Sequence, residues 1–180
     1  MIFRRRLNTL TDDEFARLYE QHLDAVFSYC LFRVADRQLA EDLAADTFEQ
    51  AWRDRRRYNS KQAGFTTWLF AIARHRIIDN QRKQGRRTHL ALDGQHRDET
   101  LLPEEQVTRE AQFAYLRDLI QTLPDEHQEL IALKFGAGLS NRRIAELLNK
   151  NESAIGSAIY RIMQKLRQQW EVENVSSHKA

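Results

Sequence analysis

The sequence predicts an all-α protein, two small helical domains joined by a flexible linker, the second domain a helix-turn-helix. Three observations predict this. Apolar residues recur at helical spacing along most of the chain, and no strand-like alternation competes with them. Helix-start and helix-stop residues fall between those runs, among them Thr11, Gly136, Gly138, Ser140 and Asn149. Charge is also segregated. Residues 74–87 carry six Arg or Lys against Asp79, a net +5, whereas residues 88–106 carry five acids against Arg97, a net −4. So sharp a change of sign marks a boundary. The expected division is a first domain at 10–87, an acidic linker at 88–106 with Gly94 as its loosest point, and a second domain at 107–171.

The first helix opens on Thr11-Asp-Asp-Glu14, a capping box in which each end residue satisfies an amide of the other. Phe15, Leu18, Tyr19, Val26, Phe27, Cys30 and Leu31 carry it to about Val34 as a half-buried helix, and residues 35–37 read as a turn. A second helix, from Gln38 to about Trp52, has Ala44, Phe48 and Ala51 on an inner stripe. On its outside Asp42, Asp46, Glu49 and Arg53 follow at i, i+4, i+7 and i+11. That ridge is either a solvated face or a docking surface for a basic partner helix. The basic run 53–57 then enters a loop, Tyr58 to Gly64, before the third helix.

The third helix is the most informative part of the chain. Phe65, Trp68, Leu69 and Ile72 form an apolar stripe, widened by Phe70, Ala73 and Ile77. At its other edge Trp68, His75 and Arg82 recur at i, i+7 and i+14, with Asp79 and Arg86 nearby. An aromatic ring, an imidazole and guanidinium groups on one strip suit stacking on bases and pairing with phosphates. Periodicity alone leaves open whether this is such a surface or an amphipathic core helix with a solvated basic end.

Beyond the linker, Pro103 sits in the first turn of a helix carried by Val107, Ala111, Ala114, Tyr115 and Leu119 to Thr122. Pro124 restarts the chain through Leu130, Ile131, Leu133 and Phe135 until Gly136 and Gly138 end the segment. Ser140 caps a short helix, Asn141 to Leu148, with Ile144, Ala145 and Leu148 inward and Arg142 and Arg143 outward. Asn149-Lys-Asn151 makes a tight turn into a last helix, from about Glu152 to Trp170, that buries Ile155, Ile159, Ile162 and Leu166. Two helices joined by a three-residue turn read as a helix-turn-helix or as a hairpin used only for packing. In the first case Ser153, Gly156, Ser157, Tyr160, Arg161 and Lys165 face a major groove or its phosphates.

Little points to catalysis. The six histidines and the single Cys30 lack metal-ligand spacing, and no phosphate loop or nucleophile motif is visible, so no metal, cofactor or small-molecule substrate is expected. Cys30 lies in an apolar helical pattern and reads as core. No segment has the length to span a bilayer, and the basic start has no apolar run behind it, so a soluble cytoplasmic protein is expected.

With these parts in place, the chain resembles the extracytoplasmic-function group of bacterial sigma factors. The residues that carry the resemblance are Leu39-Ala-Glu-Asp-Leu-Ala-Ala-Asp-Thr-Phe-Glu-Gln-Ala-Trp52, Phe65-Thr-Thr-Trp-Leu-Phe-Ala-Ile-Ala-Arg74, Ile78-Asp-Asn-Gln-Arg82, Leu123-Pro124, and Ser140 through Leu166. The resemblance implies a four-helix first domain that binds core RNA polymerase and opens the minus-ten element, and a helix-turn-helix that reads the minus-thirty-five element. It implies a polymerase contact at Asp42, Asp46, Glu49, Gln50 and Arg53. It implies minus-ten contacts by the loop with Tyr58, Asn59 and Ser60 and by Trp68, His75, Asp79, Asn80, Arg82 and Arg86. Minus-thirty-five contacts fall on Arg142, Arg143, Asn151, Ser153, Gly156, Ser157, Tyr160, Arg161 and Lys165.

Three positions depart from the family pattern. His75 stands where Asn is usual, Gly156 and Ala158 where Lys and Arg are common, and Asn149 in place of the turn glycine, whose left-handed backbone it tolerates. The lost cations imply a modest minus-thirty-five contribution, since each phosphate contact adds roughly 0.9 to the salt slope. The flexible acidic linker and the apolar faces on either side suggest an anti-sigma partner wedged between the domains. Two other function classes stand beside the sigma reading. One is a free-standing helix-turn-helix regulator, which binds duplex tightly without polymerase, and the other a helical nuclease using His75 and Asp79, which requires metal-dependent cleavage.

Overall fold

The computed structural model describes residues 10–87 and 115–177, with side chains described to residue 83 in the third helix and to residue 171 in the last. The expected linker at 88–106 and the helix start from Pro103 through Ala114 lie outside the described residues. The described residues are helical, with no strand among them.

Helix α1 spans Asp12–Val34, and both halves of the expected capping box form. The Glu14 amide donates to Thr11 Oγ1 at 3.2 Å, and the Thr11 amide donates to Glu14 Oε2 at 2.8 Å. Those bonds hold the Glu14 carboxyl below its usual range. Ala35 ends the helix in the left-handed region (φ 54°), and the Asp36 carboxylate caps α2, Arg37–Asp54, by accepting from the Leu39 amide at 2.8 Å. Helix α3 runs unbroken over Phe65–Arg87. Where the resemblance implies four helices, the described residues of the first domain thus hold three.

The first core gathers Phe15, Val26 and Cys30 of α1, Leu43, Ala44, Phe48 and Ala51 of α2, and Leu69, Phe70, Ala73 and Ile77 of α3. The buried stripe of α3 is rotated from the expected one. Trp68 and Ile72 are only half-buried, because α1 and α2 press on the side marked by Phe70, Ala73 and Ile77. Burial pushes the Cys30 thiol up to about 12, which keeps it protonated and inert.

In the second domain α4 is described over residues 115–121, followed by α5 (Asp125–Ile131), a π-helical turn (Ala132–Gly136), α6 (Asn141–Leu148) and α7 (Glu152–Ser177). The π turn was not legible beforehand. In it the Ala137 amide donates to the Ala132 carbonyl, five residues back, at 2.9 Å. Ser140 caps α6 as expected, its hydroxyl accepting from the Arg143 amide at 3.3 Å. Asn149 takes the left-handed conformation (φ 52°) between α6 and α7. Ile144, Ile155, Ile159, Ile162 and Leu166 bury between the two helices and α5. Phe135, at the end of the π turn, remains exposed.

The two domains pack on each other. Helix α1 lies along the π turn, and α3 meets α6. Gly136 makes the first contact possible, since a Cβ there would come within 3.0 Å of the Phe32 ring and 3.2 Å of the Ser28 carbonyl oxygen.

Candidate nucleic-acid and polymerase-binding surfaces

The outer side of α7 is polar and basic because its inner side is a strict isoleucine and leucine stripe. Ser153, Ser157, Tyr160, Arg161 and Lys165 are exposed, Tyr160 by 65% despite its large ring. An aromatic held in water beside two cations is the composition that base edges and phosphates call for. Some of these groups are already steadied. Gln164 donates to the Tyr160 hydroxyl at 3.0 Å, Arg161 Nε reaches the Ser157 carbonyl at 3.4 Å, and Asn151 Oδ1 accepts from the Ser153 amide at 2.8 Å.

Gly156 departs from expectation. It is half-buried, and a Cβ there would lie 3.3 Å from the Asn141 amide nitrogen, so its role is the close approach of α7 to α6 rather than a groove contact. On α6, Arg142 is exposed and pairs with Glu146 at 3.2 Å. Arg143 turns toward the other domain, with a guanidinium nitrogen 2.9 Å from where a Cβ of Gly64 would stand.

The loop from Tyr58 to Gly64 holds its expected place between α2 and α3, but Tyr58 does not present its ring. It is buried, 5.9 Å from Phe65 and 5.0 Å from Trp68 between ring centroids, and burial raises its hydroxyl's pKa while Arg143 lowers it. An aromatic cluster that also takes in Phe15 and Trp52 draws it inward. Asn59 is half-buried and uses its side-chain oxygen to accept from the Lys61 amide at 3.1 Å, while Ser60 is exposed.

Along α3 the basic cluster seen in the sequence divides. Arg74 turns to the second domain, Arg76 donates to Gln50 of α2 at 2.7 Å, and Arg82 and Lys83 remain exposed. The side chain of Arg86 lies outside the described residues. His75 is exposed and sits 3.2 Å from Asp79, whose other oxygen lies 3.9 Å from Arg82. His75, Asp79 and Arg82 therefore form one polar chain along the helix. Asn80 is half-buried, with its amide nitrogen fully enclosed and unbonded, so only part of it faces outward.

On α2 the ridge of Asp42, Asp46, Glu49 and Arg53 is exposed throughout, with Glu49 and Arg53 paired at i, i+4. Gln50 departs from it. Half-buried, it donates to Asp54 and accepts from Arg76, which makes it a tie between α2 and α3.

Sequence reasoning does not single out Tyr29, Arg33 or Glu129, which are buried where the domains meet. The Tyr29 hydroxyl donates to Glu129 Oε1 at 2.7 Å, and Arg33 lies 2.6 Å from Asp125 and 3.2 Å from Glu129. Arg74 Nε is 3.5 Å from Glu129. Burial, then the Glu129 charge, pushes the Tyr29 hydroxyl well above its ordinary pKa. One signal was available in the sequence: Arg33 stands one helical turn beyond Tyr29 on the inner side of a helix whose other inner residues are apolar.

Among the described residues no helix is long and apolar enough to cross a membrane. A family description for sigma-70 region 2 matches residues 18–87, and one for sigma-70 region 4 matches residues 113–166. The chain is 33% identical over 158 residues to the extracytoplasmic-function sigma factor BldN of Streptomyces coelicolor, covering 86% of this chain and 59% of that protein's length. It is 26% identical to SigM of Bacillus subtilis, covering 88% of this chain and 94% of that one. The fold matches the sigma factor RpoE of Bartonella quintana, solved with the anti-sigma factor NepR, at a TM-score of 0.67 over 89% of this chain and 98% of that one, with 20% identity. It matches CnrH, solved with the cytosolic domain of CnrY, at the same TM-score over 90% of each chain. The two sigma-70 regions follow each other along the chain, and the chain belongs to the sigma-70 family as an extracytoplasmic-function RNA polymerase sigma factor.

Proposed function

We propose that this sigma factor binds core RNA polymerase through the α2 ridge of Asp42, Asp46, Glu49 and Arg53, and directs initiation with two separate DNA-reading surfaces. Residues 10–87 form the unit that meets the melted minus-ten strand, with Asn59, Ser60, Trp68, His75, Asp79 and Arg82 at the contact. Residues 107–171 form the unit that reads the minus-thirty-five duplex through Arg142, Ser153, Ser157, Tyr160, Arg161 and Lys165, and 88–106 connects them. The protein carries out no catalysis of its own and acts in the cytoplasm on polymerase and promoter DNA. An anti-sigma partner is part of this reading, in keeping with the complexes in which two fold neighbours were solved.

The observation that carries the reading is the pairing, in one short chain, of a helix-turn-helix whose outer face is polar and basic with an exposed acidic ridge on a different domain. A free-standing regulator has no use for the ridge. Purified protein mixed with core polymerase and a pool of genomic run-off templates is expected to bind core and start transcription at a subset of promoters. Failure to bind core, or to initiate on any template, overturns it.

A further inference from the structure

Two residues stand nearest the middle of the face that α7 turns outward, Ser157 and Gln164. With successive residues about 100° apart on a helix, the buried Ile155, Ile159, Ile162 and Leu166 centre on one direction, and the opposite direction passes within about 10° of both. Tyr160 lies about 50° to one side of it, Arg161 about 50° to the other, and Lys165 about 90° away at the flank. All five are exposed. Ser157, Tyr160, Arg161 and Gln164 thus follow at i, i+3, i+4 and i+7, the spacing of the four base-reading positions of a homeodomain recognition helix.

Tyr160 and Gln164 are also joined. Gln164 donates from Nε2 to the Tyr160 hydroxyl oxygen at 3.0 Å, and among the described residues no other hydrogen bond engages either side chain. That bond sorts what each has left to offer. The Tyr160 oxygen accepts from the amide, so its own proton is free to be donated outward, and the Gln164 amide oxygen remains as an acceptor beside it. The two side chains therefore present one donor and one acceptor next to each other on the outer face.

In the major groove one base carries the complement. Adenine has an acceptor, N7, beside a donor, the N6 amino group. Guanine has two acceptors there, and its O6 would face the Gln164 oxygen; thymine offers O4 alone and cytosine its N4 amino group alone. The Tyr160 ring, 65% exposed, adds an apolar edge in the groove that holds the methyl group of the thymine paired with that adenine.

We propose that Tyr160 and Gln164 act as one base-reading unit, the tyrosine hydroxyl donating to N7 of an adenine and the glutamine oxygen accepting from its N6 amino group, so that they select an A·T pair within the minus-thirty-five element. The unit deepens the promoter-reading role argued above and rests on it. Gln164 acts in two ways: it accepts from the base, and it fixes where the Tyr160 proton points.

Selection from a pool of random-sequence duplexes by the full chain bound to core polymerase reads the preference position by position. Wild type is expected to enrich adenine at one position. Tyr160→Phe removes the hydroxyl and keeps the ring, and Gln164→Leu removes the amide and keeps the bulk. Each is expected to lower the adenine preference at that position about tenfold, the order of one bidentate contact, and to leave the other positions as they were. Gln164→Glu offers acceptors only, since its carboxylate takes the Tyr160 proton, and is expected to take adenine and cytosine alike, the two bases with an amino group there. Both residues are exposed, and circular dichroism of the variants checks that helix content is kept.

No enriched adenine in wild type, an adenine preference that survives either truncation, or a loss spread evenly over all positions would each overturn the unit. So would guanine or thymine enriched in its place. Core binding by the wild-type chain is measured in parallel. Failure there overturns the sigma role, and the same selection by the chain alone still decides whether the unit reads adenine.

Discussion

The acidic ridge of α2 and the seam between the domains use the same residue types to opposite ends. On the ridge Glu49 and Arg53 pair within one helix, in water, with more than half of each side chain exposed. Such a pair stabilises a helix by about 0.3–0.5 kcal/mol, and its carboxylate stays available to a partner. In the seam Arg33, Asp125 and Glu129 come from helices about a hundred residues apart, and burial of Arg33 and Glu129 makes each dependent on the other. Charge that is cheap to hold on the ridge is free for recognition, whereas charge that is costly to bury favours one domain arrangement over others.

Removing one partner should separate the two regions most sharply. Glu129→Ala leaves Arg33 buried beside an exposed Asp125 alone, and breaking a buried pair in this way costs about 3–5 kcal/mol. The loss is expected in the closed state only, because Arg33 regains water when the domains part. Urea unfolding of the full chain should therefore lose the contribution of interdomain packing, with each domain melting at its own midpoint. A single transition with an unshifted midpoint would place the seam in the same energetic class as the ridge.

The reverse outcome is expected on the ridge. Asp46→Arg should leave unfolding within about 0.5 kcal/mol of wild type, as exposed substitutions do. Binding to core should fall by about 2–3 kcal/mol or more, because like charge meets a basic partner surface. Titration of labelled core with the two proteins reads the difference, and equal affinity would mean that the ridge is merely solvated.

How much was legible in the sequence follows the same division. The capping box at Thr11, the Ser140 cap, the Asn149 turn and the buried Ile155, Ile159, Ile162 and Leu166 are all local patterns, and each stands where spacing put it. The ridge was legible for the same reason, since its members lie within three turns of one another. The seam was not, because no periodicity links Tyr29 with Glu129, and neither residue is unusual by itself. Tyr58 was misplaced for a related reason. A loop composition says nothing of an aromatic cluster that gathers Phe15, Trp52, Phe65 and Trp68 from three helices. The π turn escaped because an extra residue in a helix leaves the apolar pattern nearly intact.

On α7 the comparison extends to a cation that is exposed and already half-committed. Arg161→Ala should weaken discrimination at one base pair of the minus-thirty-five element by about 1–3 kcal/mol if the guanidinium leaves the Ser157 carbonyl for a base edge. Competition binding by holoenzyme on a set of single-base variants measures it. A uniform loss across all sequences, with a salt slope reduced by about 1, would assign Arg161 to a phosphate instead.

The smallest effect is a pH dependence at the edge of the seam. His22 of α1 is half-buried, its ring 5.6 Å from that of Phe65, and its pKa is lowered first by burial and then by the positive charge of Arg143 from the other domain. A lowered folded-state pKa means that the folded protein binds fewer protons than the unfolded chain just below the ordinary histidine value of about 6.5. The stability His22 contributes is therefore fully present above that value and is lost as pH falls through the folded-state pKa. Because the smaller of the two causes lies across the seam, protonation should favour parting of α6 from the first domain as well as unfolding. Scattering and urea midpoints compared between neutral and mildly acidic buffer are expected to show a small acid-side expansion and destabilisation, both diminished in His22→Gln and in Arg143→Gln. An acid effect that survives His22→Gln in full would assign it to groups other than His22, and one lost in His22→Gln but kept in Arg143→Gln would trace it to burial within the first domain alone.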